Sequence, residues 1–329
     1  MTRQATARIT HVDPLRAHTA LPFHHVLFPY GFPVHVKSNN PAIIRAAELS
    51  WASFKQSFRE EPIELRFVIS EIPTRRRPPC PVFRAQSHLL VAIADDHNFA
   101  CCDLLEGFAF AFLTQAAASN RDYVRYHFLE ALAYTLLDTK HVVAVHSACV
   151  AKKDRGVLLV GDSGAGKSSL AYACARSGWT YISDDASCIL RRKSGRRVLG
   201  NPQTFRFRPS IAALFPELTG PVKARNGKPT IEIKTEKLPR IQTAYSCHAD
   251  YIVFLNRHEN AADTALSPIS REEALSKLLQ TVWPAELPIH EERLEAVERL
   301  IAAECYRLSY SEFGPAIELL ERLVSGGVV

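Results

Sequence analysis

Residues 156–178 read GVLLVGDSGAGKSSLAYACARSG, and the fold turns on them. Val157 to Val160 form an apolar run of strand length. Behind it, Gly161-Asp162-Ser163-Gly164-Ala165-Gly166-Lys167-Ser168 matches G-x-x-x-x-G-K-[ST] at every fixed position. From Ser169 the segment SSLAYACARSG reads as a helix that Gly178 stops. A strand, a glycine-rich loop and a helix, in that order, are what a phosphate site requires. Small residues let successive backbone N–H groups turn inward around an anion, and the following helix offers its positive N-terminus. Lys167 then sets a cation on the β- and γ-phosphates, and the Ser168 hydroxyl serves Mg²⁺.

Working outward, Thr180–Ser183 reads as a short strand that ends at Asp184-Asp185, seventeen residues after Lys167. In a parallel sheet the carboxyl ends of neighbouring strands share one edge with the phosphate loop. Two carboxylates at that edge divide the work: one holds Mg²⁺, and the other accepts a proton from an attacking hydroxyl. Their order alone assigns neither role, and the competing reading is a solvated turn. In the other direction, His146 sits in V-A-V-H-S-A, fifteen residues before Gly161, within the apolar run Val142–Val150 on the strand antecedent to the phosphate-loop strand. Taken alone, such a histidine is more often a packed core residue than a ligand.

Taken together, His146 through Asp185 resembles the C-terminal catalytic domain of HPr kinase/phosphorylase. The shared pattern is a strand histidine, G-D-S-G-x-G-K-S fifteen positions later, a helix ending in glycine, then a strand and D-D. That resemblance implies an α/β, mixed-sheet P-loop fold of the PEP-carboxykinase-like group. It implies that Gly161, Gly164, Gly166, Lys167 and Ser168 form the phosphate loop, with Asp162, Ser163, Ala165 and Ser169 beside them. It implies Asp184 and Asp185 as base and magnesium-associated carboxylate, Ser168 and Asp185 as metal ligands, and His146 near the phosphates. ATP and Mg²⁺ are the implied cofactors, and ATP over GTP rests on the family alone. The chain is similar also to HPr-kinase-like enzymes of bacteria that sit beside peptide-modification systems and can phosphorylate a peptide.

The departures bear on the substrate. Bifunctional members carry Glu directly after the loop's K-S, where this chain has Ser169. Their downstream acidic signature falls at Thr204-Phe205-Arg206-Phe207-Arg208-Pro209, which puts Arg206 at the acidic position. Both differences count against phosphorylase activity and against HPr as the acceptor. Arg206 and Arg208 alternate with Phe205 and Phe207, so both arginines share one side of a strand, facing nucleotide, acceptor phosphate or solvent. Lys228, in G-K-P, is a candidate of the same kind. The sequence thus points to an ATP-dependent kinase acting on Ser or Thr of a small protein or peptide. The alternatives are a kinase acting on a small metabolite and a non-catalytic ATP-binding regulator.

The remaining chain sets the frame. Its 329 residues suggest two domains, read as a small α+β domain at 1–118 and the P-loop domain at 119–329, with a helix over Arg121–Leu137 between them. Hydrophobic content of 47% and charged content of 22% fit a folded protein and exclude a disordered or collagen-like chain. No apolar run approaches a membrane span, and the N-terminus lacks an apolar signal core, so a cytoplasmic protein with no membrane partner is expected. Lys and Arg number 40 against 34 acidic residues, a net +6 that is no nucleic-acid footprint. The basic clusters Arg75–Arg77 and Arg191–Arg197 lie beside turn residues. Eight cysteines without a C-x-x-C pair read as buried reduced thiols. The resemblance makes a homo-oligomer possible, but no stripe in the sequence specifies a symmetry.

Overall fold

The computed structural model describes residues 18–70, 78–192, 195–225, 228–258, 264–282 and 290–326. The Arg75–Arg77 cluster and Lys193 of the second basic cluster lie outside them. The chain divides into two units, Met1–Ala133 and Tyr134–Val329.

Described residues of the first unit form strands β1 (Phe23–Leu27), β2 (Val34–Ser38), β3 (Ile63–Ser70), β4 (Val82–Gln86), β5 (Leu89–Asp95), β6 (Asn98–Asp103) and β7 (Phe108–Thr114). They make one sheet in the order β1-β2-β3-β7-β6-β5-β4, with β2, β3 and β7 parallel and the other pairs antiparallel. Helix α1 (Pro41–Trp51) starts where Asn40-Pro41 leads one to expect it, the Asn40 side chain accepting the Ala42 N–H at 2.9 Å. After β7 come α2 (Gln115–Ser119), α3 (Arg121–Val124), a π-turn at Arg125–Leu129 and α4 (Glu130–Lys140). The division between the units falls inside α4. Tyr123 donates to the Pro79 carbonyl (2.7 Å), Arg125 to Ser50 (2.9 Å), and Ser50 to the buried Glu130 carboxylate (2.9 Å). Those bonds tie the helical run to the first unit.

The second unit carries β8 (Val142–Val145), β9 (Ser147–Lys152), β10 (Arg155–Val160), α5 (Lys167–Arg176), β11 (Thr180–Ser183), β12 (Ser187–Leu190), β13 (Arg197–Leu199), β14 (Thr204–Phe207), β15 (Val222–Arg225), β16 (Lys228–Lys234), β17 (Gln242–Thr243), β18 (Ser246–Arg257), β19 (Ala265–Pro268), α6 (Arg271–Leu279), α7 (His290–Leu300), β20 (Glu304–Tyr310) and α8 (Phe313–Val324). The main sheet runs β17-β11-β9-β10-β18-β13-β12-β8, with β20 also beside β18 and β19 beside β20. It is mixed: β18 is parallel to β10 and β20, while β9 is antiparallel to both β10 and β11.

The apolar run Val157–Val160 is continuous because both faces of β10 are covered. Val157 and Leu159 pack with residues of α5 and α8, whereas Leu158 and Val160 pack with residues of α6 and α7. Where the sequence reads one strand over Val142–Val150, the chain turns a corner at His146, whose N–H donates to the Thr281 carbonyl at 3.0 Å. β8 then pairs with β12, and β9 inserts between β10 and β11. Both strands are mostly buried, so nothing in the hydropathy marks the corner.

A separate sheet, β14-β16-β15, lies beyond α5. Its residues Phe205, Phe207 and Ile231 are buried, the two phenylalanines in a cluster with Tyr172, Tyr181 and Phe215. Tyr181 stacks on Phe205 with ring centroids 3.8 Å apart. Alternation along the strands leaves Arg206, Thr230 and Glu232 on the opposite face.

Candidate nucleotide-phosphate site

The phosphate loop is a fixed turn between β10 and α5. Gly164 and Gly166 take φ of +96° and +91°, backbone that L side chains adopt only under strain. Gly166 has a second constraint, since a Cβ there would lie 2.7 Å from the Tyr310 hydroxyl. That hydroxyl donates to the Ala165 carbonyl at 3.3 Å, and the Ala165 N–H closes a turn onto the Asp162 carbonyl at 3.1 Å. Gly161, Asp162 and Ala165 therefore build the loop from behind. Ser163, Gly164, Gly166, Lys167, Ser168 and Ser169 line a cavity of about 720 Å³. The first N–H groups of α5, which have no acceptor within their own helix, begin at this cavity.

Lys167 is buried, and its ammonium donates to the Gly161 carbonyl (2.7 Å) and the Asp162 carbonyl (3.1 Å). Burial holds its pKa below the usual lysine range, against the opposing pull of Asp185 and Asp162. The cation thus lies folded onto the loop that it serves.

Strand register brings the other candidates to the same edge. Ser147 at the start of β9 lies opposite Val160 at the end of β10, so His146 falls at the loop's edge of the sheet. β11 runs in the direction of β10, but β9 lies between them, so the strand ends share an edge without being neighbours. Asp184 and Asp185 follow β11 and line the cavity with His146.

The two aspartates differ sharply. Asp184 is 4% exposed; its Oδ2 accepts the Arg206 N–H at 2.6 Å, and its carbonyl accepts the Ser168 hydroxyl at 3.3 Å. Burial, reinforced by the charge of Asp185, pushes its carboxyl up to about 7, while the Arg206 guanidinium pulls it down. Asp185 is about half-exposed. The His146 ring nitrogen Nδ1 is 2.8 Å from its carbonyl oxygen and 3.6 Å from its Oδ1.

The donor set suits a magnesium-bound nucleotide. Mg²⁺ typically takes one or two carboxylates along with phosphate oxygens and waters. Asp185 and the Ser168 hydroxyl, both lining the cavity, supply such a partial set. Among the described residues no group of three or more His, Cys, Asp or Glu forms a closed metal cage.

The cavity also contains residues of the second sheet and of β18. Arg206, Arg208 and Lys228, singled out from the sequence, line it, as do Phe207, Ile211, Leu214 and Thr230. Arg257 was not legible as a site residue. It ends β18, the parallel neighbour of β10, and its guanidinium lies 4.9 Å from the centroid of Phe313. The sequence shows a buried strand only over Tyr251–Leu255, while the strand continues through the polar pair Asn256-Arg257. A parallel strand's last residue beside a phosphate loop is the signal that would have found it.

Four cysteines, Cys102, Cys149, Cys174 and Cys188, are buried as expected, whereas Cys80 is exposed and Cys101, Cys247 and Cys305 are partly exposed. Among the described residues no helix is long and apolar enough to cross a membrane.

No family model matches the chain, and no curated protein matches it. Among solved structures, the chain is similar to the HPr(Ser) kinase/phosphatase from Coxiella burnetii, with 15% identity and a TM-score of 0.29 over 56% of this chain and 94% of that one. The relationship is structural and distant.

Proposed function

We propose that this chain is an ATP-dependent kinase of HPr-kinase-like, PEP-carboxykinase-like P-loop type. It moves the γ-phosphoryl group of ATP onto a Ser or Thr hydroxyl of a small protein or peptide. The observation that carries this reading is the convergence of the phosphate loop, Asp184, Asp185 and His146 on one cavity.

In the reaction the acceptor hydroxyl oxygen forms a bond to the γ-phosphorus. The bond from that phosphorus to the β–γ bridging oxygen breaks, ADP leaves with the electron pair, and the hydroxyl proton passes to a carboxylate. We assign that proton to Asp184, because a base poised near neutral pH combines the right protonation state with a driving force for transfer. The loop amides and Lys167 hold the phosphates in line and meet the charge that spreads over them. Ser168 and Asp185 would hold Mg²⁺, which supplies charge neutralisation at the phosphate oxygens. His146, against the Asp185 carbonyl, positions that carboxylate.

The test is to incubate the protein with γ-labelled ATP, Mg²⁺ and a lysate of its own cell, then identify the labelled species and phosphoamino acid. Label on Ser or Thr of a small protein or peptide supports the kinase. Stoichiometric ATP binding with no transfer leaves a nucleotide-binding regulator instead, and label on a small metabolite moves the activity to that class.

A further inference from the structure

The cations of the cavity fall into two sets by position. Lys167 and Arg257 belong to the loop side, Lys167 by its bonds to loop carbonyls and Arg257 by its approach to Gly166. Arg206 and Lys228 belong to the β14-β16-β15 sheet and Arg208 directly follows β14, and all three line the cavity. Arg206 lies opposite Glu232 in the register. On β16, Lys228 lies two residues from Thr230, which is next to the Phe207–Ile231 pair. Lys223 of β15 lies opposite Thr230. The face that turns away from Phe205, Phe207 and Ile231 therefore carries Arg206, Lys223, Lys228 and Lys234 with Glu232, and Arg208 lines the cavity beside it.

Two of those cations are uncommitted. Arg206 interacts with Asp184. Arg208 and Lys228 are exposed, and neither side chain makes a hydrogen bond or ion pair among the described residues. Beside them the cavity wall is apolar: Phe207, Ile211 and Leu214, the last 44% exposed. Unpaired cations next to an exposed leucine, in the cavity that the phosphate loop also lines, make a surface complementary to an acidic segment with apolar residues.

We propose that the acceptor is a peptide segment with Asp or Glu side chains beside its Ser or Thr, and that Arg208 and Lys228 select it. This inference rests on the kinase reading and adds the substrate's charge to it.

The experiment uses the full chain with Mg²⁺, γ-labelled ATP and two pools of short Ser-centred peptides. One pool has flanks drawn from Asp, Glu, Ala and Leu; the other replaces the acids with Asn and Gln. The acidic pool is expected to be labelled with a kcat/KM roughly tenfold higher, the sum of two surface charge contacts of ordinary strength, and the preference should shrink as salt is raised. Arg208→Glu with Lys228→Glu should reverse the preference toward a Lys-flanked pool, with an ATP titration reporting that each variant still holds nucleotide. Fluorescence anisotropy of both pools separates the two readings. Equal labelling of the pools overturns the acidic-acceptor inference and leaves the kinase standing. Selective binding of the acidic pool without label supports the surface and sinks the kinase. Label on free serine or small hydroxy acids, with neither pool labelled, overturns the inference in favour of a metabolite acceptor. Neither binding nor label overturns both.

Discussion

The two sides of the cavity are built by different means. The loop side is main chain: a glycine turn, the start of α5 and one lysine, braced from behind by Tyr310. The opposite side is made of side chains from an amphipathic sheet, with aromatic residues inward and cations outward. A backbone cradle has little freedom, because any side chain added at Gly166 would strain it, at a φ of +91° and against the Tyr310 hydroxyl. The side-chain wall can exchange a cation for another residue without disturbing the Phe205–Tyr181 stack beneath it. Under the proposed function, phosphate binding is thus fixed in the loop, and the choice of acceptor is free to vary on the wall.

The sharpest way to break this division is at Lys167. Lys167→Ala should lower phosphoryl transfer by on the order of 10⁴-fold, since phosphoryl transfer depends on positioning and charge stabilisation. Turnover of labelled ATP measures it, and a near-normal rate would remove the loop's role. Asp184→Asn should cost about 10²–10³-fold in rate, the usual range for a lost general base, with ATP binding retained by titration.

Asp184 also makes a prediction about stability with the opposite sign. A carboxyl whose pKa rises on folding keeps its proton in the native state while the unfolded chain has already lost it. Stability contributed by the protonated acid is fully present below the unfolded value near 4, and is lost as pH rises toward about 7. Activity that needs the carboxylate should rise over the upper part of that window and level off above it. Asp184→Asn removes the buried charge while its amide oxygen can still accept the Arg206 N–H. The variant should therefore be more stable than the parent above pH 7, by on the order of a few kcal/mol, and nearly equal to it below pH 4. Thermal melts across that range check this, and a variant less stable at every pH would show that Asp184 is not held at a cost.

A smaller effect is expected at Gly166. Gly166→Ala sets a Cβ 2.7 Å from the Tyr310 hydroxyl at a φ of +91°, a strain of about 1–3 kcal/mol. ATP affinity should fall by roughly tenfold or more, with little change in the far-ultraviolet circular dichroism.

What the sequence disclosed follows the same division. The phosphate loop was legible because strand, turn and helix are contiguous, so local chemistry determines the geometry. Asp184 and Asp185 were legible as the end of a strand, although the order of strands was not: β9, antiparallel, separates β11 from β10. The sequence pattern did mark Arg206 and Arg208 as sharing one face of a strand. It could not show that Lys228 joins them, since that depends on pairing β14 with a strand more than twenty residues away. The corner at His146 was hidden because strands on both sides of it are apolar, and periodicity cannot distinguish one long buried strand from two.

The smallest effect tests whether the loop is self-supporting. Tyr310 ends β20, a neighbour of β18 rather than of β10, so its hydroxyl bond to Ala165 ties the loop to a strand outside the strand–loop–helix unit. Tyr310→Phe keeps the ring, which packs in the core with Leu308 and Ala316, and removes only that bond. A neutral hydrogen bond of this kind contributes about 1 kcal/mol, and its loss here leaves a carbonyl at the back of the loop rather than at the phosphates. ATP affinity should therefore weaken two- to fivefold or so on that scale, while the rate with saturating ATP changes less. A loss as large as that of Gly166→Ala would mean that the glycine turn holds its shape only through the brace, and that phosphate binding is shared with β20 rather than confined to the loop.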